Sequence, residues 1–119
     1  QKFGRIINMS SIVGLTSSEH GPAAACYTTS KTGAVGLTRA MAYELAEYNI
    51  TVNAVAGGRI ATEMSAANNS YYNDLHMKLI PMKRFGTPQE VADVFAYLAS
   101  DRSTYLTGDT INLTGGWFL

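Results

Sequence analysis

The stretch Thr51-Val52-Asn53-Ala54-Val55-Ala56-Gly57-Gly58 is the clearest indication of the fold. Its first five residues are mostly apolar or β-branched, and the small residues behind them stop the run, which is typical of a short strand buried in a sheet. A similar run, Arg5-Ile6-Ile7-Asn8-Met9, lies upstream between Gly4 and the turn-forming pair Ser10-Ser11. A third, Asp109 to Leu113, ends before Gly115-Gly116. The sequence therefore predicts three buried strands.

Long helical patterns separate these strands. From about Ala23 to Tyr48, an apolar stripe recurs at spacings of three and four, on Ala34, Leu37, Met41 and Leu45. A second helix is predicted from a cap at Thr87, with Pro88 at its first position and Glu90 three residues on, to about Ser100. The polar stretch from 59 to 85 is predicted to be irregular, with one short helix near 73–79. Strands alternating with helices predict an α/β fold with a parallel sheet.

Composition excludes several classes of function. The 119 residues are enough for one domain, and equal numbers of acidic and basic residues give no reason to expect nucleic acid or an anionic membrane as partner. No apolar run approaches the length of a membrane span, and no signal peptide is recognisable. A single cysteine favours a reducing compartment, so we expect a cytoplasmic protein. The two histidines lack ligand-like spacing, so we expect no metal.

Three strands make a small sheet with an open edge. Parallel strands are normally covered on both faces, and an unpaired edge invites aggregation. Only 15% of the residues are charged, against about 25% in an average soluble domain. We therefore expect further chain upstream of Gln1, or a partner, to cover this edge.

The candidate chemistry lies at two places. Tyr27 and Lys31 are four residues apart, which puts them on one face of the long helix, and Ser11 follows the first strand at the edge where α/β sheets bind ligands. Hydride reduction of a ketone needs a proton donor, and a nearby ammonium favours the ionised form of a phenol that is otherwise a weak base. A serine hydroxyl can hold the reacting oxygen. Taken singly, these features are common by chance. Tyr and Lys often lie four residues apart on a helix, and serine is an ordinary turn residue.

In combination with other motifs, the chain resembles the short-chain dehydrogenase/reductase family from one end to the other. The matching stretches, in family order, are Gly4 to Gly14, Tyr27-Thr28-Thr29-Ser30-Lys31-Thr32-Gly33, Asn49 to Ala56, Thr62-Glu63-Met64, Arg84-Phe85-Gly86-Thr87-Pro88, and Leu106-Thr107-Gly108 through Gly116. The resemblance implies one partial domain over 1–119, the last three strands and their helices of a Rossmann-type, doubly wound parallel sheet.

The resemblance also implies roles for individual residues. Ser11 would hold the substrate oxygen, Tyr27 would be the general acid/base, and Lys31 would bind the nicotinamide ribose and favour ionisation of the phenol. NAD or NADP would be the cofactor, with Tyr27, Lys31, Gly58, Ile60 and Thr62 as its contacts. Residues 62–80 would form the substrate loop for a small alcohol or carbonyl compound. The family's frequent homotetramers imply a homo-oligomer.

Two departures from the family bear on function. The family usually has Pro-Gly where this chain has Gly57-Gly58, and no glycine-rich phosphate loop is present. We therefore expect the isolated 119 residues to be inactive. Two hypotheses follow: an oxidoreductase interconverting a secondary alcohol and a carbonyl, of which this is a part, or an inactive truncated product that only docks on another subunit. Substrate, reaction direction and the choice between NAD and NADP stay open.

Overall fold

The computed structural model describes residues 2–16, 24–66 and 70–117. Its centre is a parallel sheet of three strands, β1 (Gly4–Ser11), β2 (Ile50–Gly57) and β3 (Thr110–Leu113), in the order β1-β2-β3. Gly4 lies opposite Ile50 and Ser11 opposite Gly57, whereas β3 pairs only with the second half of β2. The predicted α/β class, a Rossmann-type parallel sheet, is confirmed.

β2 lies in the middle because its sequence can be buried on both faces. Val52, Ala54, Val55 and Ala56 are fully buried. The one amide in this strand, Asn53, is also buried, and its side chain donates to the Leu106 carbonyl at 2.8 Å and accepts from the Asp109 amide at 3.2 Å. A buried amide satisfied in this way fixes the loop that leads into β3.

Helices cover both faces of the sheet. The long helix α1 (Ala24–Leu45) and the helix α4 (Pro88–Ala99) both pack against β1 and β2. Asn8 bonds to Thr38 of α1, whereas Arg5 pairs with Asp101, just after α4. Because side chains an odd number of residues apart on a strand point to opposite faces, α1 and the end of α4 lie on opposite sides.

The long helix is close to its predicted bounds. The predicted first residue, Ala23, lies outside the described residues. After Leu45 the chain makes one 3-10 turn over Ala46–Tyr48 and then places Asn49 in the left-handed region, with φ 56°. A left-handed residue after the last turn is a common way to end a helix.

The described part of the segment from 62 to 80 is more helical than predicted. It contains α2 (Glu63–Ala66) and α3 (Ser70–Leu79) rather than one short helix near 73–79. The prediction missed α2 because a single turn is too short to show an apolar period. The predicted cap of α4 is confirmed: Thr87 and Glu90 each bond to the other's backbone N–H, with Pro88 in the first turn.

Candidate active site

Tyr27 and Lys31 lie in the first two turns of α1, on one face. The Lys31 Nζ atom is 5.6 Å from the centre of the Tyr27 ring. The side chain of Tyr27 is half exposed, at 52%. The predicted pairing is therefore found, and the phenol faces open space rather than the core.

Ser11 is the last residue of β1, not part of a turn as predicted. The serine pair continues the strand because Ser10 and Ser11 both pair with β2. Ser11 then caps the 3-10 turn Ile12–Gly14, with its Oγ accepting the Val13 N–H at 3.4 Å. This bond occupies a lone pair of the oxygen, so the hydroxyl proton can still donate to a ligand.

The end of β1 and the start of α1 are joined through Lys31. The Ser10 hydroxyl donates to the Lys31 carbonyl at 2.8 Å, and Lys31 Nζ donates to the Met9 carbonyl at 3.1 Å. Sequence reasoning singled out Ser11 and missed Ser10. The signal was available, because adjacent residues of a strand face opposite sides and one serine of the pair must face the helix.

The turn after β2 holds the predicted cofactor contacts Gly58 and Ile60. Gly58 N–H donates to the Leu113 carbonyl, and a Cβ at this position would meet the Thr114 Cα at 3.0 Å, so only glycine fits easily. Ile60 forms an isolated parallel bridge with Gly86, whose backbone bonds to Arg59 and Ala61. In this pattern the amide and carbonyl of Ile60 itself point away from Gly86.

Thr62, the third predicted contact of this turn, caps α2. Its Oγ1 accepts the Ser65 backbone N–H at 3.2 Å, and its own N–H donates to Ser65 Oγ at 2.8 Å. These reciprocal bonds give a helix of one turn the satisfied amides that it needs to begin. The structure thus gives Thr62 a structural role at the start of the predicted substrate loop.

Asn73 of α3 joins the two parts of the 62–80 segment to this turn. Its Oδ1 accepts from Arg59 Nη2 at 2.8 Å, and its Nδ2 donates to the Ser65 carbonyl at 3.1 Å. Partial burial lowers the pKa of the Arg59 guanidinium from its ordinary value. Sequence reasoning missed this contact because it joins residues from three separate elements.

A cavity of about 120 Å³ lies next to Arg59, between Arg84, Glu90, Gly86 and Thr114. Ligand pockets usually measure roughly 300–1,000 Å³, so this space suits a few water molecules rather than a substrate. Arg84 donates to both carboxylate oxygens of Glu90, at 2.9 and 2.6 Å. The Arg84 hydrogen bond first, and the Thr87 amide second, lower the pKa of Glu90 from 4.5 to about 2.

The described residues hold neither a cluster of metal ligands nor a membrane-crossing helix. Within 2–16, 24–66 and 70–117, no three His, Cys, Asp or Glu side chains are grouped as a metal site requires. None of the helices in this part of the chain combines the length and hydropathy of a membrane-crossing segment.

Known proteins resemble this chain over nearly its whole length. Residues 1–117 match the family described as Enoyl-(Acyl carrier protein) reductase. The 3-oxoacyl-acyl-carrier-protein reductase of Rickettsia felis is 42% identical over 118 residues, which are 99% of this chain and 48% of that protein. The chain therefore spans about half the length of the curated relatives it matches.

Solved structures agree with the sequence match. A 3-oxoacyl-acyl-carrier-protein reductase from Brucella melitensis superposes with a TM-score of 0.90 at 42% identity, covering 96% of this chain and 42% of that one. Another structure of such a reductase from Brucella melitensis, with bound NAD, gives a TM-score of 0.85 at 40% identity, covering 96% and 40%. Sequence and backbone both confirm the resemblance, and the chain belongs to the short-chain dehydrogenase/reductase family.

Proposed function

We propose that the complete protein is an oxidoreductase that interconverts a carbonyl compound and a secondary alcohol by hydride transfer to or from NAD or NADP. One observation carries the proposal. The Lys31 ammonium lies 5.6 Å from the ring of a half-exposed Tyr27, and Ser10 bonds this part of α1 to the end of β1 beside Ser11. A proton donor, a cation and a hydroxyl thus belong to one edge of the sheet.

Each of these three side chains has a role in carbonyl reduction. The Tyr27 phenol gives its proton to the carbonyl oxygen as negative charge develops there, and takes it back in alcohol oxidation. The Ser11 hydroxyl donates a hydrogen bond to the same oxygen and stabilises its charge. The Lys31 ammonium stabilises the phenolate that forms when the proton leaves Tyr27.

The cofactor is NAD or NADP, and the residues present fit its nicotinamide end. The main-chain amide and carbonyl of Ile60, turned away from Gly86, suit a carboxamide, which both donates and accepts. Lys31 Nζ can donate to ribose hydroxyls, and Gly58 and Thr62 flank the same turn. When bound, the nicotinamide supplies or accepts the hydride. The NAD-bound relative supports this assignment.

Residues 62–80 form the substrate loop in this proposal. The segment follows the proposed cofactor turn directly and is joined to it by Asn73. Its described side chains include the exposed Tyr71 and Tyr72. Relatives that reduce 3-oxoacyl groups on acyl carrier protein make a 3-oxoacyl thioester the first substrate to test, beside small polar ketones.

The test compares two tyrosine variants of one helix in the complete protein. Tyr27→Phe removes the proposed acid and is expected to lower kcat by about 10²–10⁴-fold, the usual contribution of general acid/base catalysis. Tyr43→Phe removes a phenol that is 90% exposed on α1, and its kcat should match that of the wild type. Both are assayed by NADH and NADPH oxidation against 3-oxoacyl thioesters and small ketones. Wild-type turnover in Tyr27→Phe would exclude the assigned role.

The intact mass of the purified protein separates this proposal from a truncated product that only docks on another subunit. A stable species of 12.8 kDa, the mass of these residues, that does not respond to NADH would favour the docking product. A larger mass with reductase activity would favour the enzyme. The mass of the same sample under native conditions tests the homo-oligomer that the family resemblance implies.

A further inference from the structure

Lys31 is held at both of its ends by consecutive residues of β1. The Ser10 hydroxyl donates to the Lys31 carbonyl at 2.8 Å, while the Met9 carbonyl accepts from Lys31 Nζ at 3.1 Å. Ser10 is only 2% exposed. One strand end therefore fixes both the backbone and the ammonium of the same residue.

The Ser10 bond is not needed to satisfy the helix. Within an α-helix the carbonyl of Lys31 accepts the N–H of Val35, four residues on. The Ser10 hydroxyl uses the second lone pair of that oxygen. Its effect is consequently on the distance between strand and helix rather than on the helix itself.

Gly14 closes this contact from the other side. A Cβ at Gly14 would lie 2.7 Å from the carbonyl carbon and oxygen of Lys31 and 2.8 Å from Ser10 Oγ. Real Cβ atoms essentially never approach so closely. The strand end, the 3-10 turn and the second turn of α1 thus meet with no spare space.

We propose that Ser10 is a positioning residue for the reaction. Through the Lys31 carbonyl it sets where the first two turns of α1 stand over the end of β1. It thereby sets where the ammonium of Lys31 and the phenol of Tyr27 stand relative to Ser11. This inference rests on the proposed function and adds to it a residue that does not touch the substrate.

A second polar contact between the same strand and helix provides a matched control. Asn8 donates to Thr38 Oγ1 at 2.9 Å, and Thr38 is fully buried. Thr38 lies seven residues, about two turns, beyond Lys31 on the same face of α1. Removing its hydroxyl costs this part-buried hydrogen bond and the bond that Thr38 Oγ1 donates to the Ala34 carbonyl at 2.7 Å, both away from the proposed site.

The experiment compares Ser10→Ala with Thr38→Val in the complete protein. Both should lower the melting temperature, because Ser10→Ala removes a bond to the Lys31 carbonyl and Thr38→Val removes bonds to Asn8 and the Ala34 carbonyl. Only Ser10→Ala is expected to lower kcat, by about 10- to 100-fold, since small misplacements of catalytic groups have effects of this order. KM for the carbonyl substrate should stay within about twofold because Ser10 does not contact it. Equal kcat values in the two variants would overturn the proposal.

Crystal structures of the wild type and Ser10→Ala test the positioning without turnover. We expect the variant to lose the 3.1 Å contact between Lys31 Nζ and the Met9 carbonyl. An unchanged contact would refute the positioning role even if the enzyme is active. If the wild type has no reductase activity, the proposed function is refuted. The two crystal structures then still decide whether Ser10 positions Lys31. Should Ser10→Ala fail to fold, Ser10→Cys keeps the volume with a weaker donor and should show an intermediate loss of kcat.

Discussion

Gly14→Ala is expected to reduce turnover while the protein stays folded. The new Cβ would lie 2.7 Å from the Lys31 carbonyl group, and ordinary contact begins near 3.4 Å. Two of the three atoms that it meets, the carbonyl carbon and oxygen of Lys31, are backbone, which cannot rotate away as a side chain can. The second turn of α1 must therefore retreat from the end of β1 by roughly 0.7 Å, because protein interiors hold little spare volume.

The magnitude follows from that displacement. A misplacement of about 1 Å can lower the rate of a positioned reaction on the order of 100-fold, so kcat should fall by about 10- to 100-fold. Overpacking should also lower the free energy of unfolding by about 1–3 kcal/mol. Circular dichroism and a thermal melt give the folded fraction, and steady-state kinetics with NADH or NADPH at a temperature where both proteins are folded give kcat.

Gly4→Ala is the control, at the opposite end of β1. Its Cβ would meet only the Ile50 side chain, at 3.2 Å, which can shift by a few tenths of an ångström. Turnover in this variant should therefore equal that of the wild type. A Gly14→Ala protein that is folded and retains wild-type kcat would refute the argument that the contact among Gly14, Ser10 and Lys31 sets the site.

Three further predictions concern stability and dynamics. The hydrogen bond from Arg84 is the largest cause that lowers the pKa of Glu90 to about 2. The ionised carboxylate therefore stabilises the fold at any pH above the pKa that Glu90 has in the unfolded chain, and this stability is lost as the pH falls toward 2. Thermal melts of Glu90→Gln and wild type should accordingly differ most near pH 7 and converge in acid. Gly58→Ala places a Cβ 3.0 Å from the backbone of Thr114 and should lower the free energy of unfolding by about 1–3 kcal/mol. In Gly57→Ala the new Cβ meets only the flexible end of the Met9 side chain, so this control should be nearly neutral. Chemical denaturation measures both variants. Asn73→Ala removes bonds to two neighbouring elements, and amide hydrogen exchange should accelerate in residues 62–80 but not in the sheet.

Contacts between distant segments explain what sequence reasoning missed at the site. The spacing of Tyr27 and Lys31 predicted their shared face, since one turn of helix fixes it. The bond from Ser10 to Lys31 joins residues 21 positions apart. No local period encodes the approach of a strand end to a helix, and only Gly14, with no side chain, hints at the close packing there. Asn73 was missed for the same reason.

Local sequence patterns were enough to predict the central strand and the start of α4. The central strand is buried because its residues are apolar and its one amide finds partners in the next loop, and α4 begins where the pattern of Thr87, Pro88 and Glu90 predicts. Local patterns did not predict which serine faces α1, how Lys31 is held at both ends, or how the 62–80 segment is attached to the turn after β2. These features depend on distances between elements, which arise only when the sheet and helices pack and buried polar groups must find partners.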